Sequence, residues 1–240
     1  MPGDGPGRKL TAVGKHDPSN PALNPMLPDA ERWQRFLAHE ADAPDHPGVL
    51  VMGASRARMY PDKVLAEAVE TDKTAICNLG VAGSLVQEVW YYALNTSVDL
   101  SGVHTVVIPS LGLNNLNWTD DSTFELAWCL TRIIKALLKE CAPDARVVVT
   151  GLLGEDVVPD GSQFTWARVE KLNRNMDSRE EGTGLFDWVE APSGFAWDDE
   201  TYVRDDGMHF TPAFYGEFIN PLIHDALFPA MDPAASLWVA

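Results

Sequence analysis

The chain has 240 residues, of which 45% are hydrophobic and 22% are charged, the composition of an ordinary globular protein with enough apolar material for one core. Its formal net charge of −17 argues against nucleic acids and anionic membrane surfaces as partners, because both would repel the chain at long range. The sequence has three cysteines without metal-ligand spacing, no apolar leader and no run long enough to span a membrane, so we expect a cytoplasmic protein with reduced thiols.

The N-terminal half of the sequence alternates between helical and strand patterns. Prolines and glycines without apolar periodicity predict an extended or partly disordered arm over residues 1–28, ahead of a single domain over residues 29–240. Asp29 is the expected start signal of the first helix. The elements predicted in this half are, in order, a helix (30–41), a strand (49–52), a helix (60–69), a strand (74–79), a turn (80–83) and a helix (85–94) capped by Ser84.

The C-terminal half continues the alternation and carries clearer helix signals. Ser122 and Glu125 form a capping box, and Thr211-Pro212 provides an N-cap and a first helical residue. The elements predicted here are a strand (104–109), a loop (112–115), a helix to about residue 140, a strand (146–150), a helix (164–178) closed by Gly182 and Gly184, a strand (185–189) and a final helix to about residue 227.

Five apolar strands that alternate with helices, without hairpin turns between them, predict an α/β fold with a parallel sheet and helices on both faces. Ligands bind such sheets beyond the carboxyl ends of the strands. The candidate site residues each follow a predicted strand: Ser55 follows the first, Gly83 the second, Asn114 the third, and Asp206 with His209 the fifth. We therefore expect one edge of the sheet to collect them all.

The most informative pair is Asp206 and His209, three residues apart in a loop before the last helix. At this spacing the carboxylate can orient the imidazole as a general base, and the same spacing favours Asp206 over its neighbour Asp205. Ser55, in a Gly-x-Ser turn after the first strand, is the candidate nucleophile. A serine hydroxyl becomes nucleophilic when a neighbouring base takes its proton, so the pattern favours acyl transfer chemistry.

Acyl transfer also requires donors for the negative charge on the oxygen of the tetrahedral intermediate. The candidates are the backbone N–H of Ser55 at a helix start, the backbone N–H of Gly83 in a turn that a side chain would crowd, and the Asn114 amide. Taken singly, each motif has a structural interpretation as a tight turn or a helix cap. Their shared position at strand ends favours a functional site.

Four short blocks of the sequence resemble those of the SGNH (GDSL-type) hydrolases, which carry Ser, Gly, Asn and His in this order. The blocks are Gly53-Ala54-Ser55-Arg56, Asn78-Leu79-Gly80-Val81-Ala82-Gly83, Gly112-Leu113-Asn114-Asn115 and Asp206-Gly207-Met208-His209. The resemblance implies a flavodoxin-like, three-layer α/β/α sandwich, in agreement with the strand count. It also implies a catalytic triad of Ser55, Asp206 and His209 and an oxyanion hole of Ser55, Gly83 and Asn114, with no metal or organic cofactor.

The blocks also depart from the usual motifs, which indicates a divergent branch. Ala54 and Asn115 stand where the motifs have Asp, and Arg56 stands where the first motif has Leu. Arg56 is either a contact for an anionic substrate group or a solvated or structural side chain, and Asn115 is a further candidate for substrate contact. Trp118 and Trp197 are candidates to line an acyl or sugar pocket, although core packing is favoured for each.

This chemistry leaves three hypotheses for the function. The first is hydrolysis of a small-molecule or glycan acyl ester through an acyl-enzyme on Ser55, with His209 as general base and Asp206 orienting it. The second is transfer of the acyl group to an alcohol or amine by the same residues. The third is a binding module that keeps the sheet and has lost turnover.

Overall fold

The computed structural model of the chain describes residues 19–152, 166–192, 199–206 and 208–229. Its centre is a five-stranded sheet in the order β2-β1-β3-β4-β5, and every neighbouring pair of strands is parallel. The strands are β1 (Val49–Val51), β2 (Ile76–Asn78), β3 (Thr105–Pro109), β4 (Arg146–Thr150) and β5 (Asp187–Val189). The predicted five-stranded parallel sheet is confirmed.

Helices cover both faces of this sheet. They are α1 (Ala30–Ala41), α2 (Ser55–Arg58), α3 (Asp62–Ala68), α4 (Val86–Asn95), α5 (Leu113–Trp118), α6 (Thr123–Glu140), α7 (Trp166–Thr183), α8 (Pro212–Phe214) and α9 (Asn220–Leu227). The core on one face includes residues of α1, α4, α6 and α7, and the core on the other includes residues of α3, α8 and α9. The fold is therefore the predicted α/β/α sandwich.

The packing of β3 shows why the central strands contain consecutive apolar residues. In β3, Val106 and Ile108 pack into one core, whereas Val107 between them packs into the other. All three side chains are fully buried. Because successive side chains of a strand point to opposite faces, the middle of a strand covered by helices on both sides has apolar side chains at consecutive positions.

Most predicted helix starts agree with the structure. Asp29 caps α1 by accepting a hydrogen bond from the backbone N–H of Arg32 (2.8 Å). The capping box of α6 is complete, since Ser122 accepts from the Glu125 N–H (3.2 Å) and Glu125 accepts from the Ser122 N–H (2.8 Å). The predicted Ser84 cap is wrong, because α4 starts after Leu85 and the Ser84 hydroxyl is buried 3.3 Å from the Tyr92 hydroxyl.

Two further expectations differ from the structure. The predicted loop at residues 112–115 is largely helical, because Gly112 (φ 122°) reverses the chain and α5 begins at Leu113. The predicted final helix is divided into α8, a π-helical turn (Tyr215–Ile219) and α9. Pro221 lies in the first turn of α9, and its missing N–H interrupts the regular α-helical bonding at that point.

Residues 19–28, the described part of the predicted arm, contact the domain. They include a 3₁₀ turn (Pro21–Leu23) capped by the Asn20 side chain. The Asn20 amide donates to Glu125 of α6 (2.7 Å), and the Met26 N–H donates to the Gln87 carbonyl of α4 (3.0 Å). This part of the predicted extended or partly disordered arm therefore packs on two helices, and residues 1–18 lie outside the described residues.

Candidate active site

Ser55 lies at a sharp turn after β1. The chain leaves the sheet through Gly53 and Ala54, and Ser55 is the first residue of α2. A Cβ atom at Gly53 would come within 2.9 Å of the Ala57 Cβ, so the turn requires a glycine there. This geometry places the half-buried Ser55 beyond the carboxyl end of the first strand, as the strand-end argument predicted.

Asp206 and His209 form a hydrogen-bonded pair near the other end of the chain. The Asp206 Oδ2 lies 2.7 Å from the His209 Nδ1, and its Oδ1 accepts from the backbone N–H groups of Met208 and His209 at 2.9 Å each. An isolated antiparallel bridge between Val203 and Phe210 closes the surrounding loop. The carboxylate is thus held by two backbone N–H groups and by the His209 ring, and its bond to the ring orients the imidazole.

The ionised state of the Asp206 carboxylate determines which nitrogen of the His209 ring carries the proton. Partial burial raises the pKa of Asp206, but the hydrogen bonds from the His209 ring and from two backbone N–H groups outweigh it and lower the pKa to about 2. Asp206 is therefore ionised at neutral pH and accepts the proton of Nδ1. That assignment leaves Nε2 of the neutral ring as a proton acceptor.

Ser55 and His209 both line one open cleft. The cleft has a volume of about 320 Å³, and its other polar lining residues are Arg56, Ser110 and Asn114. Two contacts join the Ser55 turn to the C-terminal segment: the Tyr215 hydroxyl donates to the Arg56 carbonyl (3.1 Å), and the Arg56 guanidinium stacks on the Phe210 ring (4.8 Å). The first strand and the C-terminal loop therefore contribute to the same rim.

Asn114 also lines the cleft, from the first turn of α5. Its Nδ2 donates one hydrogen bond to the Ser84 carbonyl (2.9 Å). A primary amide has two N–H groups, so this bond orients the side chain and leaves a second donor. The position is compatible with the oxyanion role that the resemblance implies.

Gly83, the glycine of the second block, is favoured at its position for a different reason from the one that we expected. A Cβ at Gly83 would meet no atom within 4 Å, so the expectation of a crowded turn is wrong for this residue. Gly83 instead has φ 81°, a left-handed conformation that side chains disfavour. The crowded position is Gly80, where a Cβ would lie 2.4 Å from the Arg58 backbone nitrogen. Gly83 is not among the residues that line the cleft.

Asn115 does not contact the cleft, which corrects its prediction as a substrate-binding residue. It is fully buried and accepts a hydrogen bond from the Val86 N–H at the start of α4 (2.9 Å). Its Nδ2 donates to Gln87 (2.8 Å) and Asp121 (2.9 Å), so both amide hydrogens are used inside the protein. We call Asn115, Gln87, Thr119 and Asp121 the buried amide cluster; it joins α5 to α4.

The remaining residues that were predicted to contact the substrate differ in their exposure to solvent and in whether they line the cleft. Arg56 is buried, with 6% exposure, and lines the cleft; burial lowers its pKa to about 10, so it is still cationic at neutral pH. Trp118 is 60% exposed at the end of α5, so the favoured expectation of core packing is wrong for it. Trp197 lies outside the described residues.

Ser110 lines the cleft and was missed by the sequence analysis. It follows β3 directly, has φ 47°, and donates from its hydroxyl to the Gly151 carbonyl (2.8 Å). A positive φ in a non-glycine residue is strained and is often found at functional sites. Its position one residue after a strand was the available signal, because the rule that identified Ser55 and Asn114 applies equally to Ser110.

Other kinds of site find no support in the described residues. Cys77, Cys129 and Cys141 are free and buried as expected, and burial raises their pKa values to about 12, 12 and 11, which argues against a thiolate nucleophile. Within the described ranges, no cluster of three or more His, Cys, Asp or Glu side chains is arranged to hold a metal ion. None of the helices described is both long and apolar enough to cross a membrane.

Comparison with known proteins gives matches at the level of structure. No protein-family model and no curated protein matches the sequence. A protein from Bacteroides fragilis to which an acylhydrolase activity has been attributed superposes with a TM-score of 0.60 and 17% identity, covering 83% of this chain and 97% of that chain. A GDSL-like lipase from Bacteroides thetaiotaomicron gives a TM-score of 0.58 and 17% identity, with coverage of 81% and 96%.

A carbohydrate acetylesterase from Sinorhizobium meliloti is also similar, with a TM-score of 0.54 and 16% identity over 80% of this chain and 100% of that chain. The superpositions show a shared fold, and identities this low show nothing beyond the fold. The chain therefore has the α/β/α fold of the GDSL-like, or SGNH, hydrolases.

Proposed function

We propose that this protein is a serine esterase that hydrolyses a carboxylic ester through an acyl-enzyme on Ser55. The observation that carries the proposal is the common cleft: Ser55 and the Asp206-oriented His209 line the same opening at the carboxyl edge of the sheet. The shared fold with GDSL-like hydrolases supports it, since ester chemistry is what the similar proteins are named for.

In the proposed acylation, His209 Nε2 takes the proton of the Ser55 hydroxyl as the oxygen attacks the ester carbonyl. The imidazolium that forms is stabilised by the ionised Asp206 at 2.7 Å. His209 then returns the proton to the leaving alcohol. In deacylation the same nitrogen deprotonates a water molecule, which attacks the acyl-enzyme and releases the carboxylic acid and free Ser55.

The proposed oxyanion hole combines three donors: the Ser55 N–H at the start of α2, the Gly83 N–H and the second N–H of Asn114. Asn114 is the best supported of them, because it lines the cleft and its orientation is set by the Ser84 carbonyl. A donor held in place before the reaction stabilises the developing charge without reorganisation. Gly83 lies beside this contact through its neighbour Ser84, in the backbone conformation that requires glycine.

The substrate that we propose is a small acyl ester of an alcohol or a sugar. One structural neighbour is named a carbohydrate acetylesterase and another an aryl esterase. Acyl transfer to an alcohol or amine would use the same residues with a different acceptor. The two reactions share the acyl-enzyme and can be distinguished by their products.

A fluorophosphonate probe tests the nucleophile. We expect the wild-type protein to be labelled and Ser55→Ala to lose labelling while it remains folded. Ser110→Ala is the matched control for the label, because Ser110 lines the same cleft but its hydroxyl is donated to a carbonyl. An unlabelled wild type would favour a binding module, and labelling that survives in Ser55→Ala would place the nucleophile elsewhere.

Product analysis separates hydrolysis from transfer. Burst kinetics on p-nitrophenyl acetate, run with and without alcohol and amine acceptors, measure how the acyl-enzyme partitions. Hydrolysis predicts that acetate is the main product at every acceptor concentration. Accumulation of the acylated acceptor in its place would make the protein an acyltransferase.

A further inference from the structure

The helix that carries Asn114 is short and depends on its neighbours. α5 runs from Leu113 to Trp118, too short a stretch to be stable as an isolated helix in water. The last carbonyl groups of any α-helix have no partner within it and need donors from elsewhere. The orientation of Asn114, and of the donor that it offers to the cleft, therefore depends on the contacts that fix the two ends of α5.

Arg168 of α7 holds the C-terminal end of α5. Its guanidinium donates to the Leu116 carbonyl (2.7 Å) and to the Asp121 carbonyl (3.0 Å), with a longer contact to the Thr119 carbonyl (3.4 Å). A guanidinium has five N–H donors in a rigid plane, so one side chain can bind several carbonyls at once. The positive charge strengthens these bonds relative to bonds between neutral groups. The last turn of α5 and the residues after it are thereby fastened to α7.

The same face of α7 also contacts the N-terminal end of α5. Leu172 is four residues after Arg168, which places the two side chains one above the other on the helix surface. Leu172 is buried, with 1% exposure. A Cβ atom at Gly112, the residue before α5, would lie 3.0 Å from the Leu172 Cδ2, so α7 packs closely on the point where the chain turns into α5. One face of α7 therefore touches α5 at both of its ends.

The Arg168 contact is joined to the buried amide cluster. Asp121, whose carbonyl accepts from Arg168, also accepts through its carboxylate from the amide of Asn115 (2.9 Å). Asn115 is the neighbour of Asn114 in α5, so both sets of bonds act on the helix that carries the proposed oxyanion donor. A catalytic donor has to be held close to its productive position, and a displacement of about 1 Å can cost on the order of 10²-fold in rate.

We propose that Arg168 is a positioning residue for the reaction: by fastening the C-terminal end of α5, it holds the Asn114 amide where the oxyanion develops. The inference rests on the esterase function and on the oxyanion role of Asn114 proposed above. Arg168 acts through α5, because its hydrogen bonds go to backbone carbonyls and the described lining of the cleft does not include it. Its loss should therefore affect kcat per folded molecule.

Steady-state kinetics on p-nitrophenyl acetate, with the folded fraction measured by circular dichroism, test this role. Arg168→Ala should lower kcat per folded molecule by about tenfold and leave KM nearly unchanged, because a misplaced donor stabilises the transition state less. Arg168→Lys should lose less, since an ammonium group can still bind one of the carbonyls. Arg174→Ala is the matched control: Arg174 lies on the same helix and pairs with Glu170 at the exposed surface (3.3 Å), so kcat should not change.

A double-mutant cycle with Asn114→Ala distinguishes positioning from general support of the fold. If Arg168 acts through Asn114, adding Arg168→Ala to Asn114→Ala should change kcat by less than about twofold. Equal losses in the two backgrounds would overturn the inference, as would wild-type kcat in folded Arg168→Ala or in Asn114→Ala. If Arg168→Ala does not fold, the same cycle with Arg168→Met decides, because that variant removes the donors and keeps a long apolar side chain.

Ser55→Ala separates this inference from the function on which it rests. Hydrolysis that is present in the wild type and lost in Ser55→Ala, together with additive losses in the cycle, would overturn the positioning role and leave the esterase intact. A wild type without ester hydrolysis, or hydrolysis that persists in Ser55→Ala, would overturn the esterase proposal and this inference with it.

Discussion

Two clusters of hydrogen-bonded polar side chains, each built around an aspartate, differ in their access to solvent. Asp206 holds His209 at the cleft, and the two side chains are 50% and 19% exposed. Asp121 accepts hydrogen bonds from Asn115, Gln87 and Thr119 in the buried amide cluster, where Asn115 is fully buried. The first cluster lies at the cleft, where we propose that one ring nitrogen acts on a reactant, whereas the second uses its amide hydrogens internally.

The adjacent residues Asn114 and Asn115 show how closely the two kinds of position can lie. Successive residues of an α-helix are rotated by about 100° around its axis, so neighbours face different surroundings. Asn114 faces the cleft, and Asn115 faces α4. The comparison teaches that of two adjacent polar residues one can face an open cleft and the other the protein interior, and that burial with all donors used marks a structural role.

The largest expected effect is that of His209→Ala. Without the imidazole, Ser55 has no base, so kcat should fall by a factor on the order of 10⁴–10⁶. The free energy of unfolding should change little, because the His209 side chain is partly exposed and, among the described residues, its ring is hydrogen-bonded to a half-exposed carboxylate. Ester hydrolysis and denaturant unfolding measure the two quantities. A variant that is insoluble or unfolded would assign His209 to the scaffold.

The next effect is expected for Asn114→Ala. Loss of one oxyanion donor should lower kcat by about 10²–10³ with little change in KM. The fold should tolerate the change, since Asn114 is only partly buried and, within the part of the chain that the structure describes, its side chain makes one hydrogen bond, to the Ser84 carbonyl. Steady-state kinetics on p-nitrophenyl acetate provide the measurement. Wild-type kcat in this variant would remove Asn114 from the oxyanion hole.

Asn115→Ala should show the opposite pattern, a large loss of stability and a small loss of activity. It removes the acceptor of the Val86 N–H and the donor to the Gln87 side-chain oxygen, which costs about 1–3 kcal/mol of unfolding free energy for each buried polar group left unsatisfied. Asp121 keeps its hydrogen bonds from Gln87 and Thr119. Activity per folded molecule should remain well above that of Asn114→Ala. Urea unfolding with parallel kinetics tests this. If the two variants instead lose activity equally and stability not at all, the distinction between their roles fails.

The smallest expected effect is on acid stability. The pKa of Asp206 is lowered to about 2 in the folded protein, against roughly 3.9 in an unfolded chain. Its ionised form therefore stabilises the fold above about pH 4, and this contribution is lost as the pH falls towards 2. Because the side chain is half exposed, solvent screening keeps the contribution below about 1 kcal/mol. Unfolding of wild type and Asp206→Asn between pH 5 and 2 should show a shallower pH dependence in the variant.

Most of the fold could be predicted from the sequence, because its signals are local. The range predicted for α1 agrees with the structure, and the capping box of α6 has both of its hydrogen bonds. The parallel sheet followed from apolar runs without hairpin turns. The errors occurred where tertiary packing overrides a local signal: Ser84 is a good capping residue in isolation, but its hydroxyl is buried beside Tyr92.

The candidate site could be predicted only in part. The convergence of Ser55, Asn114 and His209 on one rim follows from topology, because all parallel strands end on the same side of the sheet. Ser110 obeys the same rule and was overlooked, since a serine after a strand has no distinctive motif. The crowding expected at Gly83 occurs at Gly80 instead, because the position of α2 above the turn depends on the packed structure.

The sequence by itself therefore determined the strand order along the chain, the helix starts at Asp29, Ser122 and Thr211, and the set of residues that lie at strand ends. These properties depend on the periodicity of side chains along the backbone and on hydrogen bonds between residues only a few positions apart.

Only the tertiary structure decided which of those residues line the cleft. It separated Asn114 from Asn115, buried Arg56 against Phe210, and left Trp118 exposed. The physical reason is that exposure and hydrogen-bond saturation depend on neighbours that are distant in sequence, and those neighbours are known only when the helices have packed on the sheet.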